Sequence, residues 1–326
     1  MKTRKVIPFV WLLIVGHISA QQFEEVGKSP WGPNDEIGTL NMMTEQTSLN
    51  ALSKIRSGKA YDLSVEYFVG MPSFQSLHDP QYQFWVTHSP HGTIVDNPNG
   101  LGENMNSKVS YTGDAISMYT HMGTHIDALN HFGLNGKIWN GFSPEQYLGD
   151  KGWKKTGAEK IPPIISRGVL IDVAAYKGVK VLPNNYRITA KDLQGALAKQ
   201  HVQLNSGDVV LIKTGQAQYY NNAAEYLHQY PGISLDAVRW LVEEKDVMVL
   251  GADNLSLEAF PSERQDNWVP IHTYLLAQKG VMFIEQMYLE ELANDKVYEF
   301  AFIAASLKLR GASAAPMRPI AIPMSK

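Results

Sequence analysis

The residues best suited to chemistry lie in one short segment of the chain. His121, His125 and His131 are three of the ten histidines and fall within eleven residues, with Asp127 between the second and the third. Imidazole nitrogen and carboxylate oxygen are ligands that suit Zn²⁺ or Mn²⁺. The segment is therefore a candidate metal site. A loop whose histidines cap turns or pair with carboxylates is the alternative interpretation.

The spacing of these residues indicates how they converge. All four positions are odd-numbered, so a strand would project them from one face, whereas a helix would turn Asp127 and His131 away. A straight strand would place His121 and His125 roughly 13 Å apart. That distance is too large for two ligands of one ion, each bonded at about 2.0–2.2 Å. We therefore expect a kink at Gly123, where glycine gives the backbone freedom.

The kinked strand would point His121, His125 and Asp127 at one ion. His131 would then lie at the rim as a candidate proton carrier. Three protein ligands leave a catalytic ion at least one position for water. The sequence contains no cysteine, which excludes disulfides, thiolate nucleophiles and Cys-ligated zinc, so nitrogen and oxygen must hold any metal.

The pattern H-x-G-T-H-x-D-x-x-x-H of residues 121–131 resembles the signature of the metal-dependent cyclase superfamily, which includes bacterial kynurenine formamidases and isatin hydrolases. The resemblance implies that His121, His125 and Asp127 bind metal and that His131 is the general acid/base. It also implies a compact α/β domain of the swivelling β/β/α type, commonly assembled as a homodimer. Leu129 departs from the pattern, because many relatives have proline there.

A second group of candidate ligands lies further along the chain. His272 opens the apolar segment 271–279, and Glu285 ends the strand-like segment 281–285. A carboxylate at the end of an apolar strand is costly to bury unpaired, and a metal would remove that cost. In the kynurenine formamidase branch, a histidine and a glutamate in such positions complete a two-metal site, although the spacing here is slightly longer. One or two ions remain possible, as do a helix-start role for His272 and a surface lysine partner for Glu285.

Two aromatic residues are candidates for substrate contact. Phe74 follows the segment Gly70–Pro72, where the resemblance implies an aromatic that touches substrate. Trp139, in the turn-rich segment 136–142, is placed to wall the pocket above His131. The alternative for Phe74 is a role in core packing, and the alternative for Trp139 is packing within a surface turn. The long segment 73–114, rich in aromatics and turn residues, is expected to be an ordered cover over the pocket.

Alternating patterns in the second half of the chain predict strands and helices in turn. Continuous apolar strands between helices indicate a sheet covered by helices, and a capping box is expected at Thr189 and Asp192. A loop-rich N-terminal arm, 21–45, precedes them. We predict one α/β domain with a mixed sheet over 21–326. The predicted strands are 59–68, 168–173, 208–213, 247–251 and 281–285, and the predicted helices are 44–55, 189–200, 234–245 and 271–279.

Residues 1–20 are typical of a secretory signal, with a basic start, an apolar stretch over 6–15 and a small-residue cleavage site at 18–20. The apolar stretch is too short to span a bilayer, and an uncleaved anchor is the alternative. We expect an exported protein, periplasmic or secreted. The chain carries a net charge of −3, and cleavage would make it more acidic, which disfavours nucleic acid and anionic membranes as partners.

The first functional hypothesis is a metal-dependent hydrolase that cleaves an amide-type C–N bond in an aryl formamide or a cyclic imide or lactam. Water activated by the ion would attack, and His131 would transfer the proton. The alternatives are a lactone hydrolase or cyclase on the same scaffold, and a non-catalytic exported protein that binds metal or a ligand. The sequence lacks a G-x-S-x-G elbow and a phosphate-cradling glycine loop, which disfavours serine hydrolases and nucleotide chemistry.

Overall fold

The computed structural model describes residues 24–324. The predicted signal segment, 1–20, lies outside the described residues and stays a prediction. Within the described range, no helix combines the length and the apolar character that crossing a bilayer requires.

A nine-stranded sheet organises the described part of the chain. Its strand order is β1-β15-β13-β7-β9-β11-β12-β4-β14, and three two-stranded pairs, β2-β3, β5-β6 and β8-β10, complete the set. The strands of residues 24–324 are β1 Tyr61–Asp62, β2 Gln83–His88, β3 Gly113–Ser117, β4 His125–Asp127, β5 Leu148–Gly149, β6 Gly152–Trp153, β7 Ile164–Asp172, β8 Arg187–Ile188, β9 Val209–Lys213, β10 Gly232–Ile233, β11 Val249–Ala252, β12 Phe283–Glu285, β13 Glu299–Ala304, β14 Ala314–Pro316 and β15 Ile320–Pro323.

The large sheet is mixed, as predicted. Strands β7, β9, β11 and β12 are parallel neighbours, whereas β12-β4, β4-β14 and the strands beyond β7 pair antiparallel. All residues of β9 and β11 are buried, which accounts for the apolar runs over 209–212 and 249–252. The α/β prediction with one mixed sheet is therefore confirmed.

Helices lie against this sheet and confirm several predicted boundaries. Thr189 and Asp192 form the expected capping box at the start of the second-half helix α6, and Thr44 caps α1. The helices of residues 24–324 are α1 Glu45–Ser53, α2 Pro90–Asp96, α3 Glu103–Asn106, α4 Pro144–Tyr147, α5 Val173–Lys177, α6 Ala190–Gln200, α7 Ala223–Tyr226, α8 Leu235–Arg239, α9 Pro270–His272 and α10 Glu290–Asn294, with π-helical continuations of α8 over Trp240–Glu244 and of α9 over Thr273–Lys279.

The strand predicted over 59–68 is wrong in length, because β1 contains only Tyr61 and Asp62. The Asp62 carboxylate accepts hydrogen bonds from the backbone and the hydroxyl of Ser64, which turns the chain out of the sheet. Val65 then donates its backbone N–H to the side chain of Thr124 at 3.0 Å. The chain after β1 is thus tied to the histidine segment instead of continuing as a strand.

The segment 73–114 is ordered around the β2-β3 hairpin and the short helices α2 and α3. All six residues of β2 are exposed, so the hairpin projects from the domain. Near its base, Tyr82 and Met71 join a second apolar cluster with Met122 and Tyr226. Met122 belongs to the histidine segment and is fully buried, so this cluster packs against that segment.

Candidate metal centre

The histidine segment turns sharply before it enters the sheet, as the spacing predicted. Gly123 has a φ of +59°, and the chain becomes strand β4 at His125. The Tyr67 ring lies against Gly123 so closely that a Cβ there would come within 2.5 Å of it, and its hydroxyl donates to the Thr124 carbonyl at 2.8 Å. Glycine is therefore required both for the backbone conformation and for the close approach.

Strand register brings the two predicted ligand groups together. In the antiparallel pairing of β4 with β12, His125 lies opposite Glu285, and His125 Nε2 is 3.3 Å from Glu285 Oε2. His125 and Asp127 are fully buried, and Glu285 is 5% exposed. The metal-ligand candidates from both halves of the chain thus meet inside the sheet.

Asp127 lies at the centre of the cluster. Its Oδ1 is 2.8 Å from His121 Nδ1 and 3.4 Å from His125 Nε2. Its Oδ2 is 3.6 Å from His131 Nε2. Donor atoms of His121, Asp127 and His131 all lie within 4.8 Å of one another, and so do those of Asp127, His272 and Glu285. Asp127 is therefore common to two three-residue donor groups.

His131 lies at the cavity side of the cluster, and its side chain is more exposed than those of the other cluster residues. Its side chain is 18% exposed, and its ring packs on that of His121 with centroids 3.8 Å apart. It therefore lies within ligand distance of the cluster as well as beside the cavity. The geometry permits either a proton carrier or a ligand at this position.

The buried donor atoms fit a cation. His125 Nε2, both carboxylate oxygens of Asp127 and Glu285 Oε1 have no hydrogen-bond partner, although imidazole nitrogens approach within ion-pair distance. Neither Asp127 nor Glu285 pairs with a lysine or arginine anywhere in 24–324. Buried charged groups without partners are costly, and divalent cation binding at this cluster would supply partners for these atoms.

Hydrogen bonds on the far side of the rings orient two of the histidines. His125 Nδ1 is 2.8 Å from the Gly123 carbonyl, and because a carbonyl only accepts, Nδ1 carries the proton and Nε2 faces Asp127 and Glu285. His121 Nε2 is 2.9 Å from the Ser313 hydroxyl, which leaves Nδ1 facing Asp127. Such outer partners are the usual means of fixing a metal-binding imidazole.

The pKa values of the cluster reflect its surplus of negative charge. Burial disfavours the charged form of His125, but Asp127 and Glu285 outweigh burial and raise its pKa to about 10. Burial also disfavours the charged form of Asp127, but the nearby imidazoles hold its pKa well below the usual range. Asp127 and Glu285 thus favour a proton on the His125 ring. This proton lies where a metal cation would bind.

His131 behaves in the opposite way. Burial, with a further contribution from the charge on His121, lowers its pKa well below the ordinary value. His131 is therefore neutral at physiological pH and can accept a proton.

A cavity of about 80 Å³ opens onto the cluster. Phe74 lines it, as predicted, beside His121, His131, His272 and Glu285. Sequence reasoning named none of the other lining residues individually; Phe132 directly follows the motif, and Leu77 and Asp79 belong to segment 73–114, which was expected to cover the pocket. The other lining residues are Leu77, Asp79, Tyr119, Phe132, Ser256, Phe260, Trp268 and Val269. A larger cleft of about 1110 Å³ around Arg167 and Lys296 contains none of the cluster residues, so its size does not mark it as the reactive site.

The prediction that Trp139 walls the pocket above His131 is wrong. Trp139 is 2% exposed, and its indole N–H donates to the Asp35 carboxylate at 3.1 Å. The ring packs against Gly27 and Gly280, not against the cavity. A buried indole needs an acceptor for its N–H, and the N-terminal arm supplies it.

Comparison with known proteins shows the family of the chain. The sequence model of the Cyclase family matches residues 61–259, and the chain belongs to that family. The rice (Oryza sativa subsp. japonica) protein "Cyclase-like protein 3" is 26% identical over 266 residues, 81% of this chain and 80% of its own length. His272 and Glu285 lie beyond the matched range; the sheet register places Glu285 at the site, and the position of helix α9 against Glu258 places His272 there.

Solved structures show the same fold. A crystal structure described as a novel cyclase is 30% identical in sequence and superposes with a TM-score of 0.80. The match covers 92% of this chain and 100% of the chain in that structure. Isatin hydrolase A from Ralstonia solanacearum is 22% identical, with a TM-score of 0.60 over 85% of this chain and 95% of its own. The predicted resemblance to the cyclase superfamily is confirmed.

Proposed function

We propose that this protein is a metal-dependent hydrolase that cleaves an amide-type C–N bond. The observation that carries the proposal is the pair of buried carboxylates, Asp127 and Glu285, whose unpartnered oxygens face imidazoles at the floor of an aromatic cavity. A purely structural ion pair would not need an opening to solvent. A catalytic site needs both the ion and the cavity.

His121, His125 and Asp127 would hold one divalent ion, and His272 and Glu285 would hold a second ion together with Asp127. The ligand types suit Zn²⁺ or Mn²⁺. A bound ion would polarise the substrate carbonyl, lower the pKa of a coordinated water and stabilise the oxyanion that forms.

His131 would transfer the proton. Because its pKa is lowered by burial, Nε2 is available to accept a proton from the attacking water and to return it to the leaving nitrogen. The His131 ring packs on that of His121, and its Nε2 faces Asp127 Oδ2 at 3.6 Å.

The cavity favours a flat substrate. Phe74, Phe132 and Phe260 line it with Tyr119 and Trp268, and aromatic faces stack well on planar rings. An aryl formamide or a cyclic imide or lactam has both the flat ring and the C–N bond that this chemistry requires.

Hydrolysis assays on metal-loaded protein test the proposal. The chain from residue 21 onward would be purified, its metal content measured by elemental analysis, and Zn²⁺- and Mn²⁺-loaded forms assayed against aryl formamides, cyclic imides and lactones. We expect metal-dependent turnover of at least one C–N substrate and its loss on chelation. Turnover of lactones alone would replace the proposal with lactone hydrolysis, and a bound metal without turnover of any member would favour a binding protein.

We also propose that the protein is exported through its N-terminal segment and acts on a small molecule as a homodimer. Light scattering of the purified chain measures its assembly, and the N-terminal sequence of protein recovered outside the cytoplasm measures cleavage after residue 20. A monomer in solution would contradict the proposed homodimer. An intact N-terminus would contradict cleavage after residue 20.

A further inference from the structure

Glu258 lies beside the candidate metal centre, and its buried carboxylate has no role in the proposed reaction. It is 2% exposed. Its Oε1 accepts a hydrogen bond from the His272 backbone N–H at 2.9 Å and lies 2.6 Å from His272 Nδ1. We propose that Glu258 is a positioning residue that fixes the tautomer and orientation of the His272 ring, so that Nε2 presents its lone pair to a divalent cation. This inference rests on the proposed function.

The hydrogen bonds define which ring nitrogen carries the proton. An ionised carboxylate can only accept hydrogen bonds, so the short contact to Glu258 places a proton on His272 Nδ1. His272 Nε2 then faces Glu285 Oε1 at 3.5 Å. Glu285 Oε1 has no hydrogen-bond partner, so it is free to bind the same cation that Nε2 faces.

Glu258 acts from behind the ring and not as a ligand. Its oxygen contacts the Nδ1 side of the imidazole, whereas Glu285 approaches the Nε2 side. Neither of the two donor groups found within residues 24–324 includes Glu258. A carboxylate in this position makes the far nitrogen a better electron donor and holds the ring in place.

The backbone around Glu258 is held rigidly. Asn254 accepts a hydrogen bond from Leu257 N–H at 3.0 Å and donates to the Pro231 carbonyl at 2.7 Å. Leu257 has a φ of +57°, a conformation that non-glycine residues rarely adopt and that persists only where surrounding contacts enforce it. Gly232 lies directly against the backbone of Glu258, where a Cβ would overlap it. The scaffold therefore fixes the carboxylate before any ion binds.

Loss of such an outer partner typically weakens metal binding by about 10- to 100-fold. The proposal therefore predicts that Glu258→Gln weakens Zn²⁺ binding by that factor, measured by competition with a chromogenic chelator. In a His272→Ala background, the same substitution should have no further effect, because its action passes through His272.

Glu243→Gln is a matched control. Glu243 accepts a hydrogen bond from the Tyr274 hydroxyl at 2.9 Å and pairs with Lys279 at 2.8 Å, so it contacts the same helical segment without touching His272. Zn²⁺ affinity in this variant should equal that of the wild type. Equal affinity of Glu258→Gln and wild type, or an equal loss with and without His272, would overturn the inference.

A measurement on the wild-type protein keeps the test independent of the variant's folding. In ¹⁵N NMR spectra of Zn²⁺-loaded protein, His272 should show a protonated Nδ1 and a metal-shifted Nε2. A proton on Nε2 or metal on Nδ1 would exclude the proposed orientation. Wild-type protein that binds neither Zn²⁺ nor Mn²⁺ would instead refute the proposed function itself.

Discussion

His125 and Glu285 face each other across the antiparallel strands β4 and β12, with His125 Nε2 3.3 Å from Glu285 Oε2. Strand pairing alone thus joins the histidine motif to a carboxylate far along the chain. A shift of one residue in this register would turn one of the two side chains to the opposite face of the sheet. The site therefore depends on the register of an inner strand.

Removal of metal is expected to lower the melting temperature. An ion that binds only the folded state, at 1,000 times its dissociation constant, contributes about 4 kcal/mol. Because both oxygens of Asp127 lack hydrogen-bond partners, Asp127→Asn should remove most of this contribution. Calorimetry with and without chelator measures the shift, and an equal shift in both proteins would contradict the assignment of Asp127 as the shared ligand.

His131→Gln is expected to reduce kcat by about 10²- to 10⁴-fold, the usual contribution of a general acid/base, while the metal content stays unchanged. Elemental analysis alongside steady-state kinetics separates the two roles that the geometry permits. Loss of the ion together with activity would identify His131 as a ligand, and unchanged turnover would remove it from the mechanism.

Trp139→Ala is expected to destabilise the fold by about 3–5 kcal/mol, because it empties a core position, and to leave kcat/KM of the folded enzyme unchanged. Trp139→Phe keeps most of the packing but leaves the Asp35 carboxylate without the indole N–H, at a cost of roughly 1–3 kcal/mol. Urea denaturation measures both effects. A variant with unchanged stability and a raised KM would instead indicate that Trp139 contacts the substrate.

Asp253 is expected to make the stability of the metal-free protein depend on pH. Burial raises its pKa to about 6, against the opposing effects of Lys213 and hydrogen bonds from Thr214. Because the folded state binds the proton more tightly than the unfolded state, Asp253 contributes most below pH 4, and this contribution is lost as the pH rises through 6.

The comparison with Asp253→Asn isolates this titration. Relative to the variant, the wild type should lose roughly 3 kcal/mol of unfolding free energy between pH 4 and 7, which corresponds to about two pKa units. The measurement is urea denaturation at several pH values in the presence of chelator. A difference between the two proteins that does not change with pH would contradict the raised pKa.

Local spacing predicted much of the site, because His121, His125 and Asp127 lie within a few residues around one glycine kink. The capping box at Thr189 and the buried parallel strands were likewise local signals. Glu258 was missed because its contact with His272 forms where an irregular segment meets the start of helix α9, outside the strands. Trp139 was misplaced for a similar reason, since its indole bonds to Asp35, which lies 104 residues earlier in the sequence. Contacts fixed by tertiary folding leave no periodic trace in the sequence.

Strand β4 is enclosed between β12 and β14, so His125 and Asp127 cannot move without disrupting ladder hydrogen bonds on both sides. The aromatic lining, by contrast, comes largely from irregular segments around Phe74 and between Phe260 and Val269. We therefore expect substrate specificity to change, in evolution or by engineering, through substitutions in these loops, while the sequence of β4 stays the same. Libraries that randomise the lining segments should yield folded, metal-competent variants far more often than libraries that randomise residues 125–127.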